Sequence, residues 1–310
     1  VEVMAVAPSP LSDQLAELVT LIVVPKDWYS HAVEGLWALL EGNPGVRVLY
    51  CLSPPHPAAL DAALVAARAR HPTVEVLLSP ALAEPYAMRQ AAADRVTTRY
   101  YVVLGNDTWG DDTWGVNGWL ARLVATAEAE PGAAVVQPLI LERSVTHNDT
   151  LHVWWNPLQL LTGGTDDLLS TSFDNRMVRL GRHTLQRELL PGRKLGFIED
   201  HALLVRSSAF PLGHPPLWDP RASARREFFD LAWTVAAAGF DAVLEPRAVV
   251  TYRKARPLAP SDLALFVARR HDEACVRSLL YLERKWRVRT RLDRWHESHR
   301  DEALTGTRFW

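Results

Sequence analysis

An uncharged, β-branched run that stops at a proline, followed by a helical repeat and then by another such run, constrains this chain more than any other feature. Leu18-Val19-Thr20-Leu21-Ile22-Val23-Val24 ends at Pro25. A strand that is apolar on both faces is one covered by helices on both sides, the situation of a parallel sheet. Trp28 to Glu41 then spaces its apolar residues as a helix does and stops at Gly42-Asn43-Pro44-Gly45. Val46 to Leu52 reads as a second strand closed by Ser53-Pro54-Pro55, Ala58 to Arg70 as an alanine-rich helix and Val74 to Leu78 as a third strand. Met88 to Val96 reads as a helix feeding a strand at Tyr100. Strands alternating with helices predict βαβ units, right-handed crossovers and an α/β fold.

The strand from Tyr100 to Leu104 breaks at Gly105-Asn106-Asp107. Open parallel sheets bind ligands beyond the carboxyl ends of their strands, so Asp107 is a carboxylate delivered to such a place. The bland alternative is an Asx turn or a helix cap. Gly110-Asp111-Asp112-Thr113 offers two more acids but reads more simply as the cap of a helix from Trp114 to Glu130. A strand from Ala133 to Leu141 follows. From Glu142 to Lys194 periodicity is lost, and a stretch of that length inside a compact domain is usually a lid or binding loop. Its Trp154 and Trp155 are stacking candidates for a sugar ring or an aromatic acceptor, with core burial as the alternative. His147, His152 and His183 match no tight zinc spacing and read as non-ligands.

Order returns with a strand from Ala202 to Arg206, preceded by Glu199-Asp200-His201. A helix from Glu227 to Ala238, stopped by Gly239, and a strand from Ala242 to Leu244 follow. Glu227 and Asp230 are three apart and share one helix face, as a base and its neighbour would. Two acids at a helix start also complement its dipole, with Arg225 and Arg226 as ready ion-pair partners. Pro260 to Trp286 reads as a helical tail ending in the basic, aromatic run Arg284-Lys285-Trp286-Arg287. That run suits an anionic lipid surface. A solvated face, or a homodimer contact through Trp286 and Trp295, is the simpler reading. The division this gives is a domain over 1–258, made of 18–141, an irregular insertion 142–196 and 197–258, then a helical extension over 259–310; the resemblance given below makes 1–258 catalytic, with 18–141 its donor half and 197–258 its acceptor half.

A net charge of −2 gives no electrostatic case for nucleic acid. Two cysteines, Cys51 and Cys275, exclude a disulfide framework and favour a reducing compartment. Val1 to Ala7 lacks the basic and apolar segments of a signal peptide, and no window reaches the roughly 20 apolar residues of a membrane span. A cytoplasmic protein, at most peripheral to the inner face of a membrane, is expected. Thirty arginines against four lysines fit a GC-rich, bacterial genome.

Four stations in order resemble family-2 inverting glycosyltransferases of the GT-A fold: Leu21-Ile22-Val23-Val24-Pro25, Met88-Arg89-Gln90-Ala91-Ala92-Ala93, Val103-Leu104-Gly105-Asn106-Asp107 and Glu227-Phe228-Phe229-Asp230-Leu231. Val243 to Val250 resembles the closing strands of that family. The resemblance implies a mostly parallel mixed sheet flanked by helices. It also implies sugar transfer with inversion from a nucleotide-diphosphate donor, commonly UDP-linked, to a hydroxyl on a glycan, lipid carrier or small natural product. It assigns Pro25, Arg89, Asn106 and Asp107 to the donor, Asp107 to Mg²⁺ or Mn²⁺, and Glu227 or Asp230 to the base. It assigns Glu199, Asp200 and His201, with Trp154 and Trp155, to the acceptor. The ordinary alternative for Arg89 is an exposed helix arginine. Gly105 stands where the family carries a first acid, Phe228 where it often carries its base, and Tyr252-Arg253 where relatives often place a metal-binding histidine. A sugar nucleotidyltransferase and a catalytically silent GT-A-like binding module are the other readings. The first would carry a glycine-rich loop after its first strand, and Pro25-Lys26-Asp27-Trp28 is not one.

Overall fold

The computed structural model describes residues 10–110, 118–143, 152–154, 169–170, 177–179, 193–195, 198, 200–211, 215–222, 227–253 and 259–289. Trp155, Glu199, Asp111, Asp112, Arg225, Arg226, Trp295, His147 and His183 lie outside them. Of Trp154 and His152 only the strand backbone is described.

A short helix α1 (Pro10–Leu18), not expected from the sequence, leads directly into β1 (Val19–Val24). Helices α2 (Ala32–Gly42), α3 (Ala58–Arg70) and α4 (Pro85–Ala93) alternate with β2 (Arg47–Leu52), β3 (Val74–Leu78) and β4 (Tyr100–Gly105). The four strands are parallel in the order β3-β2-β1-β4. Burial on both faces explains the uncharged runs. Leu21 and Val23 enter one core layer with Leu36 and Leu123, and Ile22 and Val24 enter the other with Tyr86 and Met88.

Beyond β4 come β5 (Thr108–Gly110), α5 (Trp119–Ala129) and β6 (Ala133–Arg143). The backbone pieces β7 (His152–Trp154), β8 (Leu169–Ser170), β9 (Met177–Arg179) and β10 (Arg193–Lys194) precede β11 (Ala202–Arg206). β11 is inserted antiparallel between β4 and β6. Strand β12 (Asp241–Arg253) follows helix α6 (Glu227–Ala237), which Gly239 terminates with φ +79° in the left-handed region glycine tolerates. β10 joins the sheet edge by pairing with β12, so the main sheet reaches into the span read as an irregular insertion.

β12 (Asp241–Arg253) is far longer than the three-residue strand its sequence suggests. Its parallel pairing with β6 runs through Glu245, opposite Pro138, and resumes at Val249, so Pro246-Arg247-Ala248 form a bulge and not a strand end. Past the bulge, Val250–Tyr252 pairs with β5, and the Arg253 amide donates to the Asp107 carbonyl at 2.8 Å. β12 is thereby carried alongside the turn that holds Asp107.

The tail is two helices, α7 (Leu263–Arg270) and α8 (Asp272–Trp286), separated where His271 turns extended, and it ends in β13 (Val288–Arg289). It packs back on the sheet domain. Asp262 accepts from the Tyr29 amide at 2.6 Å and the Ser30 hydroxyl at 2.8 Å, and Ser278 donates to the Ala222 carbonyl at 2.8 Å. No helix among the described residues is long and apolar enough to cross a membrane.

Candidate active site

Three chain segments end together at the carboxyl edge of the parallel strands. β1 stops at buried Pro25 and releases Lys26 and Asp27, β4 stops at the Asp107 turn, and antiparallel β11 begins beside them with Asp200 and His201. Register enforces the last juxtaposition: Ala202 faces Leu104, and the Gly105 amide donates to the His201 carbonyl at 3.0 Å. Helix α2 closes the back of the turn. Its Gly35 lies so near that an added Cβ would sit 2.6 Å from the Asn106 carbonyl oxygen.

Asp107 is buried and accepts from the Thr108 hydroxyl at 3.2 Å. None of the described lysines or arginines pairs with it. Burial raises its carboxyl pKa, with His201 working against that rise and Asp27 adding to it, so both groups lie close by. Asn106 points elsewhere, donating its side-chain amide to the Trp28 carbonyl at 2.7 Å and fastening the loop after β1. A Cβ at Gly105 would stand 2.5 Å from Asp107 Oδ1. The space a first acid would grow through is filled by the second.

Asp200 is the hub of the opposite wall. Lys26 Nζ reaches Oδ1 at 2.5 Å, Arg89 reaches Oδ2 at 2.7 Å and the Asp200 carbonyl at 3.1 Å, and Tyr86 OH donates at 3.4 Å. Burial works to raise this carboxyl, but Lys26 and Arg89 overcome it and hold it well below the usual range. Arg89 is not an exposed helix arginine. It is 0% exposed and lies about 5 Å from the Tyr86 and Trp218 rings.

The helix start delivers Glu227 and Asp230, both buried, to different partners. Glu227 Oε1 pairs with Arg269 and lies 3.4 Å from Lys26, while Oε2 is buried without a donor. Asp230 Oδ1 accepts from the Trp286 indole at 2.6 Å and Lys285 at 2.8 Å, and Oδ2 from Lys285 at 2.9 Å. Burial nonetheless leaves Asp230 raised. These partners come from the tail, so Lys285 and Trp286 turn toward Asp230 and are half-buried rather than a fully solvated face.

Arg269 and Arg270 also grip Asp27 Oδ1, at 2.9 and 2.7 Å. Burial would raise Asp27, but those arginines and then Lys26 hold it far below the ordinary range. The line Asp27, Arg269, Glu227, Lys26, Asp200 is therefore one continuous charge network, and Asp107 lies near its Asp27 end. Tyr86, pushed up by burial and further by Asp200, Glu227 and Asp230, lies amid these acids.

The sequence reading named Arg89 but missed Lys26, Asp27, Arg269 and Arg270. Lys26 and Asp27 were legible as the residues directly after the first strand. Arg269 and Arg270 carried no signal, and the run holding Lys285 was noticed only as a basic face, because a helical tail rich in arginine looks like a solvated one.

The structure superposes on that of GalNAc-T7, solved with UDP, GalNAc and Mn²⁺, with a TM-score of 0.55 over 87% of this chain and 13% identity. The chain has the GT-A fold. It spans about half of GalNAc-T7, 51% of that chain, and at this identity the likeness is one of fold. PcManGT, a mannosyltransferase from Pyrobaculum calidifontis in complex with GDP-Man and Mn²⁺, matches at TM-score 0.47 and 13% identity over 92% of this chain and 68% of that one. Residues 1–349 of S. aureus TarS, in complex with UDP-GlcNAc, match at 0.47 and 11% over 94% and 76%. No protein-family model and no curated protein sequence matches the chain.

Among the described residues no three histidine, cysteine, aspartate or glutamate side chains are grouped to hold an ion. Tyr252, near the end of β12, packs against His201 with ring centroids 4.2 Å apart and planes tilted by 47°. What remains is one desolvated carboxylate, Asp107, without a lysine or arginine. That is a minimal fit, because magnesium is commonly held by one or two carboxylates with the rest of its shell from phosphate and water.

Proposed function

We propose that the chain transfers a sugar from a nucleotide-diphosphate donor to a hydroxyl acceptor, with inversion by single displacement. The observation that carries this is Glu227 Oε2: a buried acceptor with no donor, on a carboxylate whose other oxygen is fixed by Arg269, within the network whose Asp27 end lies near Asp107. A hydroxyl is the donor such an oxygen lacks, and a carboxylate at hydrogen-bond reach of an attacking hydroxyl acts as its general base. Asp230 is filled by Lys285 and Trp286 and braces the tail, so of the two acids Glu227 is the base.

Asp107 would hold Mg²⁺ or Mn²⁺, which supplies charge neutralisation for the departing diphosphate. Pro25 ends the strand at the donor edge, and Asn106 fixes the loop above it. Arg89 and Asp200 act by positioning Lys26, since each is enclosed and spent on the other. His201, beside Asp107, and Trp154 and Trp155 are assigned to the sugar and its acceptor, with UDP-sugars the favoured donors.

The test is release of nucleoside diphosphate from a panel of UDP- and GDP-sugars with Mn²⁺ present. Slow donor hydrolysis is expected, and Glu227→Gln lowers turnover by about 10²- to 10⁴-fold, whereas Asp230→Asn spares it. Absence of release from every donor, with nucleotide still bound, would instead identify a silent binding module. The filled carboxylate of Asp230, together with the Arg269 contact on Glu227 Oε1, favours that second reading.

A further inference from the structure

We infer that Lys26, Arg269 and Arg270 form an anion subsite that receives the diphosphate of a nucleotide ligand independently of any metal ion. The inference rests on the nucleotide-sugar reading above and names the groups that meet its charge.

The gathered cations are the first ground. Lys26, Arg89, Arg269 and Arg270 are ion-paired in one cluster with the carboxylates of Asp27, Asp200 and Glu227. Arg269 is only 5% exposed, so its charge is little screened by water.

The second argument is independent of charge. The Nε–H groups of Arg269 and Arg270 and the indole Nε1–H of Trp28 are buried and find no acceptor. They belong to one place: both arginines hold Asp27, and the Arg270 guanidinium lies over the Trp28 ring at 5.9 Å. Buried donors are nearly always satisfied, and a group of them left bare calls for a ligand rich in acceptors. A single carboxylate cannot serve two guanidinium forks. A diphosphate can, because its oxygens are several and match the fork geometry two at a time.

Position agrees with chemistry. Val24 faces Gly105 in the parallel register, so Lys26 and Asp27, which follow β1, adjoin the edge where a GT-A sheet presents its strand ends. Asp27 is then the resident counter-ion that keeps the two arginines gathered while no phosphate is bound.

The experiment is calorimetric titration of the whole chain with UDP and GDP in excess EDTA, with uridine and guanosine as controls. At least one diphosphate is expected to bind without metal, and far more tightly than its nucleoside. Arg269→Gln and Arg270→Gln should each weaken the diphosphate by roughly tenfold or more and leave the nucleoside unchanged. Arg270→Lys should recover part of the loss. Arg270 sits at the rim and its replacement keeps the test meaningful should Arg269→Gln fail to fold. Binding that appears only when Mn²⁺ is added overturns the subsite while leaving the transferase reading intact. Full affinity in Arg270→Gln overturns it too. No binding of either diphosphate under any condition removes both.

Discussion

Replacing Arg89 by methionine tests the idea that the site is held together by buried charge rather than by the sheet alone. The guanidinium is 0% exposed and makes two hydrogen bonds to Asp200, at 2.7 and 3.1 Å. Methionine keeps most of the volume between Tyr86 and Trp218, so the cavity contribution is small. What is lost is the partner of a carboxylate that water cannot reach. Removing one member of a buried ion pair costs about 3–5 kcal/mol. Lys26 remains on Asp200 Oδ1, which places the expectation near the lower half of that range, about 3–4 kcal/mol. At about 2.1 cal/mol/K of unfolding entropy per residue, 310 residues give about 0.65 kcal/mol/K, so Tm should fall by about 5–6 °C. Scanning calorimetry of Arg89→Met, Asp200→Asn and the double variant supplies the cycle. The double variant should be less destabilised than the sum of the singles by about 1–3 kcal/mol. Additive losses, or a loss under about 1 kcal/mol for Arg89→Met, would refute the claim that the two residues form one unit.

Three further outcomes follow from the same geometry. Gly35→Ala improves the helix propensity of α2 by up to about 1 kcal/mol, yet its Cβ would meet the Asn106 carbonyl at 2.6 Å. The clash should win, with a net loss of about 1–2 kcal/mol in urea unfolding, and a stabilised variant would show the turn to be free to move. Lys285→Met strips a cation from both Asp230 and Asp219 and should cost about 1–3 kcal/mol while leaving donor hydrolysis within a few-fold, measured side by side on one preparation. Asp219 is raised by burial but held down to about 2 by Arg221 first, then by Tyr281. A depressed acid adds stability above its unfolded pKa of about 4, and that contribution is lost as pH falls from there toward about 2. Asp107 and Asp230, pushed up by burial, work with the opposite sign. Denaturation midpoints between pH 5 and 2, compared for the native chain and Asp219→Asn, should therefore fall less steeply in the variant. Equal slopes would detach Asp219 from the tail's stability.

The fold was legible because it is written in short-range patterns. Uninterrupted runs such as Leu21 to Val24 and Val102 to Leu104 are strands buried on both faces, and Ala58–Arg70 and Ala202–Arg206 begin and end where the sequence says they do. Where the reading fell short, the cause lay in contacts remote in sequence. Glu245-Pro246-Arg247 looked like a strand end, because only the partner β6 shows that one edge can absorb a bulge. The acids of the site were legible for the same reason as the strands: Asp107 follows one, and Glu227 opens a helix. Their counter-ions were not. Arg269 lies 42 positions from Glu227 and Lys285 lies 55 from Asp230, separations at which no periodicity carries information. Charge in the tail therefore read as a solvated face, although its work is done inside.

The most direct measurement of the central claim is a crystal structure of the chain with UDP or GDP bound. Diphosphate density is expected at the carboxyl edge of β1 and β4, between Asp107 and the side chains of Lys26, Arg269 and Arg270, with Glu227 facing the open side of the terminal phosphate. Density for the diphosphate on any other face of the sheet, with Asp27 still gripping both arginines as it does here, would contradict it.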